Sequence, residues 1–181
     1  MVNKESEKLN QKGRAEFYTV VAKLLYQGKR ARPNILLAVQ FFCTRVQSPT
    51  KDDKRKLERV VGYLMMTKNK ARVFDRSTFE RVTTYIDASS ATHEDGKSQS
   101  GCFVMLGNTL VHEACQKQKI VTKNSTEAEL VALSDYYQEG ELVEDFLFEL
   151  GSMMKEDLVT NVHLVLQIMV RFTKFIVEIT L

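Results

Sequence analysis

The chain has 181 residues, 44% hydrophobic and 27% charged, with 2 Pro, 8 Gly, 3 Cys and no Trp. That composition excludes a collagen-like or low-complexity chain and suits one or two small globular domains. Three Cys exclude a disulfide framework, which points to a reducing compartment, and the net charge of +3 conceals a division: residues 1–76 hold 18 Lys and Arg against 7 Asp and Glu, residues 77–181 hold 8 against 16. A basic half of this kind suits either a polyanion close by or a solvated basic surface, and charge alone does not separate the two. The opening MVNKESEKLNQKGR lacks the apolar core of a secretory signal. The apolar tail, residues 162–181, carries His163, Arg171, Lys174 and Glu178, a poor membrane span. The expectation is an intracellular protein, cytoplasmic or nuclear, neither secreted nor in a membrane. The sequon Asn124-Ser125-Thr126 is then a chance match.

In the basic half, Phe17, Val20, Val21, Leu24 and Leu25 share one helical face, and Gly28 is expected to end that helix. Arg30-Ala31-Arg32 makes a basic turn. Pro33 suits the first position of a second helix through Ile35, Leu36, Val39, Gln40, Phe42 and Cys43, because its missing N–H costs nothing there. Ser48-Pro49 ends it, and Thr50 with Asp53 resembles a capping box. A third helix carries Leu57, Val60, Val61, Leu64 and Met65 on one face and Lys54, Arg55, Lys56 and Arg59 on the other.

The acidic half reads as strands, a helix and a strand. Residues 82–87 (VTTYID) alternate in the manner of a half-buried strand. The polar turn HEDGKSQSG leads to a second strand over residues 102–106. Gly107-Asn108 turns into a third over residues 110–114, which makes a β-meander. Ser125 or Thr126 is expected to cap a long helix reaching about residue 150. Leu130, Leu133, Tyr137, Leu142 and Phe146 form its apolar face, with a break near Gly140 and Gly151 as the C-terminal cap. Residues 159–167 supply a fourth strand, parallel because the crossover is long. Three strands, a helix and a strand open a ribonuclease H-like fold.

Asp87 at a strand end and Glu129 in the first helical turn can meet at one spot, and paired carboxylates suit a hard cation such as Mg²⁺. Each also has a plain structural reading: Asp87 as a turn former, Glu129 as the third member of a capping box with Thr126. Cys43, Cys102 and Cys115 lack paired spacing and read as buried thiols. His93, His112 and His163 are too scattered for a ligand cluster. Lys117, Lys119 and Lys123 form a small basic patch that would meet phosphates or serve as a solvated loop.

The segment VAKLLYQGKRARPNILLAVQFFCTRVQSPTKDDKRKLERVVGYLMMTKNK resembles the stretch after the reverse transcriptase core in copia-type retrotransposon Pol polyproteins. YIDASSATHEDGKSQSGCFVMLG and KQKIVTKNSTEAELVALSD resemble the start of that family's ribonuclease H domain. The resemblance covers residues 14–151. It implies an α/β chain with three parts: a basic helical connection segment (1–76), a truncated ribonuclease H-like domain (77–167) and a divergent tail (168–181). The family cuts the RNA strand of RNA–DNA hybrids with two Mg²⁺ held by an Asp-Glu-Asp-Asp set. By motif, Asp87 matches the first Asp and Glu129 the Glu. Lys117, Lys119 and Lys123, with Arg30 and Arg32, are the implied nucleic-acid contacts.

The third family carboxylate belongs to an Asp-Asn-x-Ser motif after the fourth strand, but Ile168-Met169-Val170-Arg171 stands there and no Asp follows Asp157. The fourth also has no counterpart. Gln-Ile-Met-Val-Arg can be encoded so that a two-base shift permits Asp-Asn-Gly-Ser, so the tail is expected to be an out-of-frame reading. The implied protein is an inactive remnant, or alternatively a binding module for nucleic acid that does not cut. Poor solubility or partial disorder is expected beyond about residue 151.

Overall fold

The computed structural model describes residues 5–75 and 81–154, and the backbone of residues 161–165. The chain divides into two compact units that meet in sequence at Arg72 and Val73. Each unit has its own buried core.

Unit 1 is helical. Helix α1 (Gln11–Arg30) starts at Asn10, whose Oδ1 accepts from the Gly13 N–H at 2.8 Å. This satisfies one of the donors that a helix start leaves without a partner. Gly28 does not end α1. It lies inside the helix and is buried because α1 passes close to Leu36, where an added Cβ would sit 3.4 Å from Leu36 Cδ1. The chain then turns through a 3-10 segment, Pro33–Ile35, with Pro at its first position as expected, into α2 (Leu36–Cys43). Helix α3 (Lys51–Met66) begins with the expected capping box of Thr50 and Asp53. Asp53 is 1% exposed, and its Oδ2 accepts from the Thr50 N–H and Oγ1, both at 2.9 Å, and lies 3.4 Å from Arg45 Nε. A buried carboxylate is tolerable only with such partners. Phe17, Val21, Leu24, Ile35, Val39, Phe42, Leu57 and Val60 form the core, with Phe17 edge-on to Phe42. Met65, expected inward, is exposed.

Unit 2 is a mixed α/β unit. Strands β1 (Arg81–Ser89), β2 (Gln99–Leu106) and β3 (Thr109–Lys117) form an antiparallel meander, and helix α4 (Ser125–Met154) crosses to β4 (Asn161–Val165), which lies parallel to β1. The sheet order is β3-β2-β1-β4. Each strand of the meander extends past the residues that alternation alone picks out. Gly107, at φ 55°, makes the tight turn between β2 and β3.

Helix α4 departs from expectation in two ways. Its sheet-facing side is lined by Ala128, Ala132, Tyr136 and Gly140, with Leu133, Val143 and Leu147 beside them, whereas Leu130, Tyr137, Leu142 and Phe146 are exposed. Small residues let the helix axis approach β1 closely. At Gly140 the approach is so close that a Cβ would overlap Thr84 Oγ1 and lie 3.3 Å from Thr84 Cβ. Gly140 therefore marks a contact, and the helix runs through it unbroken. Gly151 is also inside the helix and buried rather than its C-terminal cap. The tail 168–181 and the disorder expected after residue 151 fall largely outside the described residues.

A carboxylate pair where β1 meets the start of α4

Strand β1 carries Asp87 two residues past Tyr85, its last residue paired with β4. On its other side Asp87 pairs with Gly101 of β2, and Gly101 pairs with Cys115 of β3. The position beside the carboxylate thus has no side chain, and a Cβ there would meet nothing nearer than Ala114 O at 3.9 Å. The result is an open shelf next to Asp87, at the C-terminal ends of two parallel strands, where open α/β sheets commonly place ligands.

The start of α4 brings the second carboxylate. The cap is Asn124, not Ser125 or Thr126. Its Oδ1 accepts from the Glu127 N–H at 2.8 Å, and Glu127 Oε2 accepts from the Lys123 N–H at 2.7 Å. The acid that reaches back at this cap is Glu127, so Glu129 is not the capping acid expected from its spacing to Thr126. Among the described residues its carboxylate makes no hydrogen bond or ion pair.

A buried polar network holds this helix start on the sheet. Gln118 Nε2 donates to Ser100 Oγ and to Ala128 O, both at 2.8 Å, which ties β2 to the residue just before Glu129. Ser98 Oγ bonds Thr122 Oγ1 at 3.0 Å and accepts from the Ala91 N–H at 3.1 Å. Gln118, Ser98 and Ser100 are all nearly or fully buried. Sequence reasoning passed over Gln118 because a glutamine between two lysines reads as solvated loop.

Asp87 titrates above the usual carboxylate range. Burial is the main cause, the Ala88 backbone hydrogen bond opposes it, and the nearby Glu129 carboxylate pushes it further up. Among the described residues no cationic side chain holds the Asp87 carboxyl down, so the nearby Glu129 charge acts on it without a balancing one. That deficit suits a divalent cation, and Mg²⁺ takes one or two carboxylates together with water and phosphate oxygens. Asp87 and Glu129 thus fit the holding of one such ion. Among the described residues no group of three or more His, Cys, Asp or Glu converges as a metal set.

The basic residues are dispersed. Lys117 is paired with Asp95 at 2.7 Å. Lys119 and Lys123 are exposed near the start of α4. In unit 1, Arg30 is exposed, but Arg32 is spent internally: it donates to Thr67 O at 3.0 Å, Thr67 Oγ1 at 2.7 Å and Asn34 Oδ1 at 3.1 Å, and lies over the Tyr63 ring. Burial pushes the Cys102 thiol up to about 12 and the Cys115 thiol up to about 11, and raises Cys43 as well. None is a ready thiolate nucleophile. His112 Nε2 lies 3.5 Å from Glu139 Oε2, an ion-pair distance without a hydrogen bond. His93 Nε2 bonds Gln99 Oε1 at 2.8 Å.

No helix among the described residues is long and apolar enough to cross a membrane. No protein-family model matches the chain, and no solved structure matches it. Curated proteins do. The chain is 30% identical over 137 residues to a retrovirus-related Pol polyprotein from transposon RE1 of Arabidopsis thaliana, an alignment covering 75% of this chain and 9% of that protein. The Pol polyprotein from transposon RE2 of the same plant matches with the same identity and coverage. Secreted RxLR effector protein 161 of Plasmopara viticola is 30% identical over 124 residues, which cover 68% of this chain and 87% of that protein. The chain thus spans about a tenth of the Pol polyproteins and most of the effector. It belongs to one family with secreted RxLR effector protein 161, and it is similar to one segment of the retrovirus-related Pol polyproteins of these transposons.

Proposed function

We propose that unit 2 is the ribonuclease H-like domain of a copia-type Pol polyprotein and unit 1 the segment linking it to the reverse transcriptase, preserved here as a remnant that does not cut. The observation that carries this reading is the carboxylate pair. Asp87 on β1 and Glu129 on α4 are 42 residues apart in sequence and close enough for one to raise the other's pKa. The sheet order β3-β2-β1-β4, with β4 parallel to β1, supports it, as does the similarity to the Pol polyproteins.

In such a domain a bound Mg²⁺ would polarise a phosphodiester and its attacking water. The residues of this chain have simpler tasks. Asp87, accepting from the Ala88 N–H, and Glu129, held by the Gln118 clamp on Ala128 O, would hold the ion. The bare shelf at Gly101 gives a sugar–phosphate strand access to it. Lys119 and Lys123 would attract that strand. Two ions need more oxygen ligands than these two side chains offer, and at the position of the family's third Asp stands Ile168, which has no ligand atom.

The test is cleavage of an RNA–DNA hybrid in Mg²⁺ by the full chain and by Asp87→Asn. Equal background from both is expected, and turnover lost in the variant would overturn the inactive reading. The site reading is tested separately by Mg²⁺-dependent stabilisation, expected in the wild type and absent in Asp87→Asn. An equal response of both would overturn it. A binding module that does not cut is the second reading, favoured by the charge of unit 1, where residues 1–72 hold 17 Lys and Arg against 6 Asp and Glu.

A further inference from the structure

Within unit 1 the positive charge is unevenly balanced. Lys51 pairs with Glu7 at 2.6 Å, Arg55 and Lys56 both pair with Asp52, Arg45 faces Asp53, and Arg32 is held by Thr67 and Asn34. On the outer side of α1 the situation differs. Lys12, Lys23, Lys29 and Arg30 are exposed and have no ion pair among the described residues. The same face carries Tyr18 and Tyr26, 60% and 65% exposed. They lie eight residues apart, about 12 Å along the axis, and the helix surface between them is made by Thr19 and Ala22, both exposed. A shallow depression lined by Ala22, Lys23, Tyr26 and Gln27 lies at one end. The core side of α1, with Phe17, Val21 and Leu24, is fully used, so the tyrosines contribute nothing to packing there.

We propose that this face of α1 binds single-stranded nucleic acid, with bases stacked on Tyr18 and Tyr26 and the backbone held by Lys12, Lys23, Lys29 and Arg30. Two flat rings above a floor of small side chains, flanked by cations, meet both needs of a single strand: every base has a stacking face and every phosphate a charge. Stacking and backbone charge are indifferent to the sugar, so DNA and RNA strands of one sequence should bind alike. The inference goes beyond the carboxylate site, since it needs neither metal nor hydrolysis.

The test is fluorescence anisotropy of a labelled thymidine dodecamer with the full chain, in EDTA, so that failure here and failure of the metal-site reading are distinguishable. Tyr18→Ala and Tyr26→Ala should each weaken binding roughly 10-fold, while Tyr→Phe at either position retains it. An abasic dodecamer, with the same phosphates, should bind the wild type as weakly as the intact strand binds the doubly substituted chain. Lys23→Gln should flatten the salt dependence by about 0.7 in the log–log slope. All these positions are exposed, and circular dichroism of each variant confirms its fold. The proposal is overturned by absence of binding, by alanine variants that bind like wild type, by equal affinity for the abasic strand, or by equal affinity for a blunt RNA–DNA hybrid. Competition by polyglutamate or by anionic vesicles as effective as that of unlabelled strand would also overturn it.

Discussion

Gly140→Ala is the sharpest probe of how unit 2 is built. In an open helix position the substitution stabilises by up to about 1 kcal/mol, because alanine has the better helix propensity. Gly62 on α3 is such a position, with nothing within 4 Å of an added Cβ. At Gly140 the added methyl would overlap Thr84 Oγ1 and come within 3.3 Å of Thr84 Cβ and 3.6 Å of Cγ2. Thr84 is buried on β1, and its Cβ is fixed to the strand backbone, so the helix must lift. Lifting loosens the layer that Ala132 and Tyr136 make with Val82, Ile86 and Val104. Overpacking of this kind costs about 1–3 kcal/mol, and with the full propensity gain subtracted the expected net loss is about 0–2 kcal/mol. Urea unfolding followed by far-ultraviolet circular dichroism reads it as a lower midpoint at unchanged slope. Thr84→Ala should make room, so that Gly140→Ala in that background becomes neutral or stabilising, a coupling above about 1 kcal/mol. Gly140→Ala behaving like Gly62→Ala would refute the close approach of α4 to β1.

Three other outcomes follow from the same contacts. The buried Tyr136 hydroxyl has no hydrogen-bond partner among the described residues, so Tyr136→Phe should stabilise unit 2 by up to about 1–3 kcal/mol in the same urea assay. Asn124→Ala should cost about 1 kcal/mol through loss of the α4 cap and Thr126→Ala much less, a contrast that the Thr126–Glu129 capping box would reverse. Because burial and Glu129 raise the Asp87 pKa, the native state binds that proton more tightly than the unfolded chain does. Stability therefore falls as pH rises from the ordinary carboxylate pKa through the raised one. Asp87→Asn removes the effect, so its advantage over wild type in thermal melts should grow across that window and then level off, and a parallel pH dependence in both would show Asp87 to be solvated.

The elements were more legible in the sequence than their faces. Thr50 and Asp53 announced the start of α3 because a capping box is local: three residues contain all its chemistry. Pro33 announced the turn into α2 for the same reason. The β-meander followed from alternation and short turns. Helix α4 was legible as a helix and misjudged as a surface. Hydrophobicity ranks Leu130, Leu142 and Phe146 above Ala128, Ala132 and Gly140, but packing against a sheet at close range selects for small size, and only Thr84 on a distant strand reveals that. Gly28 and Gly151 were read as stops by the same error. In both cases the glycine is buried inside a helix.

The site was legible as residue types, and its geometry depended on which acid caps the helix. The sequence Asn124-Ser-Thr-Glu127-Ala-Glu129 offers two overlapping boxes, one ending at Glu127 and one at Glu129. Local propensity favours neither. The structure engages Asn124 with Glu127, which leaves Glu129 two residues further along, beside the residue that Gln118 clamps. A carboxylate that accepts from a backbone N–H at the helix start, as Glu127 does from Lys123, has fewer lone pairs left for a metal. One that sits next to a cap, held by its neighbour and set against another acid, retains them. The two-residue difference between Glu127 and Glu129 is therefore what separates a helix-start acid from a candidate ligand. The charge division of the chain fits the same logic: α4 carries eight Asp and Glu and no Lys or Arg between Ser125 and Met154. Half of them, Asp135, Glu141, Asp145 and Glu149, are exposed, where water screens them, whereas the Glu129 charge acts on half-buried Asp87 with no opposing cation among the described residues.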